Sequence, residues 1–139
     1  MAGAVVLDAF AGSGALGIEA LSRGAAQATF AEIDPRARTT IEANLVATGL
    51  TSRSRVVAGD GARSASIGGP WNLVLLDPPY DHGTWPELLD TVAANLATDG
   101  VVVIESDHEV ELPPSLDALR VKRYGGTVVS IASPRRSIT

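Results

Sequence analysis

At 139 residues, 45% of them hydrophobic, the chain has the size and apolar content of one compact domain with a real core. It has no cysteine, which excludes a disulfide framework and a thiolate metal site; His82 and His108 lie far apart with no carboxylate cluster at ligand spacing, so no metal is expected. A net charge of −5 speaks against a nucleic-acid partner, because phosphate binding ordinarily needs a basic surface.

In chain order, apolar runs at 4–7, 28–31, 55–58, 73–76 and 101–104, each bounded by turn residues, predict buried strands. Such runs are far too short to cross a bilayer, and no basic region followed by a long apolar stretch opens the chain; a cytoplasmic protein without membrane contact is expected. A first helix is predicted over 15–23, with Leu16, Ala20 and Leu21 on one face and Gly24 as its stop. Asp34 is placed to cap a second helix, with Pro35 in its first turn, Ile41 and Leu45 facing inward and Gly49 at its end. A later helix is predicted over 85–96, carrying Leu88, Leu89, Val92 and Leu96 at helical spacing. Strands alternating with helices imply an α/β domain with a mostly parallel sheet and helices on both faces. The tail departs from this pattern: 119–124 and 127–132 are strand-like runs joined by Gly125-Gly126, a turn that pairs antiparallel neighbours directly. The sheet is therefore expected to end in a hairpin.

The first strand runs into Asp8-Ala-Phe-Ala-Gly12-Ser-Gly14-Ala-Leu-Gly17, a literal GxGxxG opening a helix, which taken alone is the dinucleotide fingerprint. Asp8 separates two ligands. A dinucleotide sets its pyrophosphate at the helix N-terminus, where a carboxylate repels it. S-adenosylmethionine has no phosphate; its sulfonium and ammonium are favoured by a carboxylate, and its own carboxylate suits the backbone N–H groups of the loop. Asp8 thus favours the methyl donor, the alternative being a loop-capping aspartate. Phe10 reads as packing beside this cofactor loop. Glu32, just past the second strand, is placed to accept the ribose hydroxyls, with Ile33 offering an apolar face to the adenine; Asp34 is the rival for the ribose. After the third strand, Asp60 either accepts the adenine amino group, with the N–H of Gly61 or Ala62 near a ring nitrogen, or is an ordinary turn aspartate.

The fourth strand delivers Asp77-Pro78-Pro79-Tyr80 to the carboxyl edge of the sheet, beside the glycine loop if the first and fourth strands are neighbours. Two prolines fix φ and remove two donors, so the Asp77 carboxylate and the Pro78 carbonyl form a rigid acceptor pair suited to an exocyclic amine. Such an amine on a nucleobase is a poor nucleophile, and accepting its N–H bonds lets the nitrogen pyramidalise towards the methyl group. Tyr80 is placed to stack on the base, with Pro79 and His82 alongside. Asp77, Pro78 and Tyr80 are the candidate catalytic groups. No general base is required, since the amine becomes acidic once methylated. The alternative for the motif is a stiff surface turn.

Together the glycine loop, Glu32-Ile-Asp34 and Asp77-Pro-Pro-Tyr80 resemble the class I methyltransferases that modify amino nitrogens. Gly14-Ala-Leu-Gly-Ile-Glu-Ala-Leu-Ser-Arg-Gly-Ala25 and Arg123-Tyr-Gly-Gly-Thr127 look like the bacterial small-subunit ribosomal RNA guanine-N2 methyltransferases of the RsmD type. The resemblance implies a Rossmann-like, seven-stranded sheet, S-adenosylmethionine as cofactor with Glu32 on its ribose, Asp77 and Tyr80 at the target amine, and 16S ribosomal RNA or the small-subunit particle as partner of a monomer. It also implies a basic N-terminal stretch ahead of the glycine motif; here Met1 stands directly before the first strand, so residues 1–139 read as a single methyltransferase domain lacking that extension.

Other owners of a planar amine, adenine in DNA or a protein glutamine, fit the same motif. An NAD-dependent oxidoreductase remains the rival from the glycine loop, and a binding domain without turnover is the reading outside enzymes. The pairs Arg36/Arg38, Arg53/Arg55, Lys122/Arg123 and Arg135/Arg136 are candidate phosphate contacts or plain solvated surface. Glu105 and the acidic run 107–111 read as a strand end and loop.

Overall fold

The structure, a computed structural model, describes residues 2–77 and 85–135. Among them seven strands form one sheet in the order β3-β2-β1-β4-β5-β7-β6. They are β1 (Val5–Asp8), β2 (Gln27–Ala31), β3 (Ser54–Val57), β4 (Trp71–Leu76), β5 (Leu96–Ser106), β6 (Leu116–Tyr124) and β7 (Thr127–Pro134). β1 to β5 pair in parallel, while β7 lies antiparallel between β5 and β6. The predicted hairpin is present, with Tyr124 opposite Thr127 across Gly125-Gly126 and Gly125 at φ 58°.

The helices are α1 (Ala15–Ser22), α2 (Pro35–Thr48), α3 (Gly61–Ile67) and α4 (Trp85–Ala94). α2 starts and stops where its local chemistry dictates: the Asp34 side chain accepts the N–H of Arg36, Pro35 opens the first turn, and Gly49 takes the left-handed φ of 71° that closes it. α3 has no counterpart in the sequence reading. Gly-Asp-Gly resembles a turn, yet Asp60 caps a short helix by accepting the N–H of Arg63 at 2.7 Å, and burial of Ala65 anchors it. Leu96 also corrects the sequence reading, being the first residue of β5, not the end of a helix. Its side chain continues the helical period of Leu88 and Val92, but its backbone pairs with Trp71, and strand pairing overrides periodicity.

Successive strand residues point to opposite sides of a sheet, and the core divides accordingly. Leu7, Val74 and Leu76 join a cluster with Ala65 of α3 and Leu88, Leu89 and Val92 of α4. Val6, Phe30 and Leu75 join another with Ala20 and Leu21 of α1 and Ile41 and Leu45 of α2. Gly17 permits the second cluster to close: a Cβ there would sit 2.3 Å from Phe30 Cε1.

Candidate active site

Each of the strands β1 to β5 carries or is followed by a carboxylate at its C-terminal end: Asp8, Glu32, Asp60, Asp77 and Glu105. The carboxyl edge of a parallel sheet is where open α/β folds bind ligands. β1 and β4 are neighbours, with Asp8 in register with Leu75, so the glycine loop and Asp77 share one edge.

Asp8 is 3% exposed, and its Oδ2 accepts the N–H of Gly17 at 3.2 Å. Gly17 lies in the first turn of α1, so Asp8 holds the start of that helix. Burial pushes its carboxyl up to about 6; the Gly17 N–H partly offsets this, and the charges of Asp77 and Glu32 add to it. Among the described residues no basic side chain pairs with Asp8.

The glycine loop is held by β2, β4 and α2. Ala9 donates to the carbonyl of Leu75 and Ala11 to that of Ala31, both at 3.1 Å, while Asn44 Nδ2 of α2 donates to the carbonyl of Ser13 at 3.0 Å. Gly12 and Gly14 stand at φ 56° and 81°, which side chains disfavour, and nothing lies within 4 Å of where a Cβ of Gly12 would be. The loop is thus rigid and open on that side. Phe10 packs against the core, and its ring lies 3.1 Å from the position of a Cβ at Gly61.

Glu32 ties the loop to the second strand: Oε1 accepts the N–H of Gly12 and Oε2 that of Asp34, each at 2.9 Å. Each carboxylate oxygen has a second lone pair for a hydroxyl. Arg38 donates to the carbonyls of Glu32 and Ile33 at 2.9 Å, which fixes this corner and leaves the Ile33 side chain 71% exposed. Asp34 is occupied as the α2 cap. The next corner carries Asp60, Gly61 and Ala62. Gly61 sits so close to the glycine loop that a Cβ would meet the Ala9 carbonyl at 2.7 Å, and Ala62 packs against the core. Asp60 has the structural task of capping α3.

Asp77 follows Leu76 and is exposed. Pro78, Pro79, Tyr80 and His82 lie outside the described residues. Glu105, which the sequence marks only as a strand end, is brought to the site by register: Leu76 pairs with Ile104, so Asp77 and Glu105 are the next residues on neighbouring parallel strands. The two carboxyls act on one another: partial loss of solvent at the strand ends raises both, Glu105 partly offsets this at Asp77, and Asp77 raises Glu105 further. Among the basic candidates, Arg38 and Arg53 serve carbonyls of the fold, Arg53 reaching those of Ala25 and Leu21. Arg123 pairs with Glu109 and Arg135 with Asp117, all well exposed, and Lys122 lies over the Tyr124 ring at 5.0 Å. Among the described residues, no group of three or more His, Asp or Glu is placed to hold a metal, and no helix is long and apolar enough to cross a membrane.

A parallel sheet that ends in an antiparallel hairpin, with a glycine loop on the same edge as the strand end at Asp77, defines the Rossmann-like methyltransferase class. Residues 1–133 match the family model described as Conserved hypothetical protein 95. YlbH of Bacillus subtilis is 38% identical over 138 residues, covering 93% of this chain and 75% of its own length. Ribosomal RNA small subunit methyltransferase D of Escherichia coli is 39% identical over 127 residues, covering 88% of this chain and 64% of its own. A solved structure described as a conserved hypothetical protein of Streptococcus pyogenes superposes with a TM-score of 0.88 at 34% identity, over 97% of this chain and 88% of that one. The chain belongs to this family, that of the ribosomal RNA small-subunit methyltransferase D proteins. It spans less than two thirds of the length of the Escherichia coli relative.

Proposed function

We propose that this chain transfers a methyl group from S-adenosylmethionine to the exocyclic N2 of a guanine in 16S ribosomal RNA. The observation that carries the reading is the shared edge: the buried carboxylate of Asp8, which pairs with no basic side chain among the described residues, lies one strand from Asp77 and beside an open glycine loop.

The residues present fit the cofactor. A buried anion without a basic partner is costly, and a ligand bearing positive charge offsets that cost where a pyrophosphate would add to it. Asp8 with Gly12 and Gly14 would hold the methionine end, Glu32 the ribose, and Ile33 one face of the adenine, while Asp60, Gly61 and Ala62 would flank its edge. Bound S-adenosylmethionine supplies an electrophilic methyl carbon attached to a cationic sulfur.

The chain's own groups act on the amine. Asp77 and the Pro78 carbonyl accept its N–H bonds, which localises the nitrogen lone pair and orients it towards the methyl group. Tyr80, flanked by Pro79 and His82, stacks on a base displaced from its helix, worth about 1–3 kcal/mol. As the N–C bond forms the methyl carbon parts from sulfur, which would leave as the thioether of S-adenosylhomocysteine; the nitrogen becomes acidic, and its proton leaves to Asp77 or to water. Lys122 and Arg123, on the edge strand β6, contact the RNA backbone.

Transfer of a tritiated methyl group to naked 16S RNA and to the small-subunit particle tests the proposal. Label recovered as N2-methylguanosine is the expected result. Label in another nucleoside only, or in neither RNA form, overturns it. A calorimetric titration with S-adenosylhomocysteine, with NAD as control, tests the cofactor separately; binding of NAD alone would reinstate the oxidoreductase.

A further inference from the structure

An acceptor at Asp77 takes an N–H bond from any planar amine and does not by itself distinguish guanine from adenine. The two bases differ beside that amine. Guanine places an N1–H donor next to its N2 amino group, whereas adenine places an N1 lone pair next to its N6 amino group. A second acceptor beside Asp77 would therefore be matched by guanine and opposed by adenine.

We propose that Glu105 is this second acceptor, a specificity-determining residue that takes the N1–H of guanine while Asp77 takes the N2 amine. The inference rests on the function proposed above and deepens it. Three observations carry it. First, Leu75 pairs with Val103 and Leu76 with Ile104 in parallel register, so Asp77 and Glu105 leave adjacent strands side by side and towards the same side of the sheet. Secondly, the two carboxyls act on one another, Asp77 pushing the Glu105 carboxyl up, so both acceptors are available to neighbouring N–H groups on one base edge. Thirdly, Glu105 is half-buried, and among the described residues it belongs to no ion pair; its partner across β7 is the apolar Val129. Two acids held together without a cation weaken the fold, and such an arrangement is characteristic of a site that awaits donors. The raised proton affinity of both groups agrees with this, loss of solvent opposing the charge on each and Asp77 adding to that at Glu105.

The test compares guanine with 2-aminopurine, which keeps the exocyclic amine but has a lone pair at N1. The guanine methylated by the wild-type enzyme is located first, and 16S RNA is then ligated with either base at that position. Wild type is expected to favour guanine by about a hundredfold or more in kcat/KM, because a carboxylate then faces an unpaired acceptor in the analogue. Glu105→Gln, whose amide also presents N–H donors, is expected to narrow the ratio to about tenfold or less, with S-adenosylhomocysteine affinity unchanged. An equal loss on both bases would reduce Glu105 to a support for the strand end and overturn the proposal, as would a wild-type enzyme indifferent to the analogue. A wild-type enzyme that leaves guanine N2 unlabelled removes the underlying function, and this inference with it.

Discussion

The carboxylate of Asp8 accepts the backbone N–H of Gly17 at 3.2 Å, so an acid at the end of β1 is buried under the first turns of α1. Its proton affinity is raised from 3.8 to about 6, which means the folded chain binds that proton more tightly than the unfolded one. Stability conferred by the neutral acid is therefore present in full below about pH 4 and is lost as pH rises through 6, by about 3 kcal/mol. Asp8→Asn keeps an acceptor for Gly17 and removes the charge. Its melting temperature is expected to exceed that of wild type at about pH 7 and to match it near pH 4. The same variant is expected to bind S-adenosylmethionine roughly tenfold or more weakly, a charged hydrogen bond being worth about 1.5–3 kcal/mol. Thermal melts across this range and calorimetry check both; a variant no more stable than wild type at neutral pH contradicts the burial argument.

Glu32 holds the N–H groups of Gly12 and Asp34 and is assigned to the ribose. Glu32→Ala is expected to weaken S-adenosylhomocysteine by about 1.5–3 kcal/mol. Unchanged affinity in a titration would move the ribose contact to Asp34.

Asp77→Ala separates binding from chemistry. S-adenosylhomocysteine affinity is expected to stay within about threefold of wild type, while single-turnover methyl transfer falls by about a hundredfold or more, the loss typical of a group that stabilises developing charge. Transfer at the wild-type rate would remove Asp77 from the reaction.

Gly17 tests the packing beneath the loop. A methyl group there meets the Phe30 ring at 2.3 Å, and the ring is fully buried. Gly17→Ala is expected to destabilise the chain by about 1–3 kcal/mol through overpacking, read as a lower denaturant midpoint at unchanged m-value.

Lys122 and Arg123 test the docking of RNA. If both touch phosphates, the double alanine variant is expected to weaken RNA uniformly across sequences and to reduce the slope of log affinity against log salt by about 0.7 for each phosphate no longer neutralised. An unchanged slope would return both residues to the solvated surface.

Much of the edge was legible in the chain itself. The limits of α2 follow from Asp34, Pro35 and Gly49, because capping and left-handed termination are decided within a few residues. The glycine loop, the hairpin turn at Gly125-Gly126 and the strand that delivers Asp77 are likewise local patterns. Asp60 shows where local reading fails, since a turn aspartate and a helix cap share the same composition and burial of Ala65 selects the cap.

By itself, then, the sequence determined the alternation of strands and helices, the loop that must be glycine, and the acids that close the strands. Each of these depends on side chains and dihedral preferences within one or two turns of chain. The tertiary structure decided that Leu96 pairs with Trp71 instead of ending a helix, that Arg38 and Arg53 are committed to carbonyls, and that Glu105 stands against Asp77. Those outcomes depend on strand order and register, which are set by how the whole sheet buries its two faces, and no spacing along the chain carries that information.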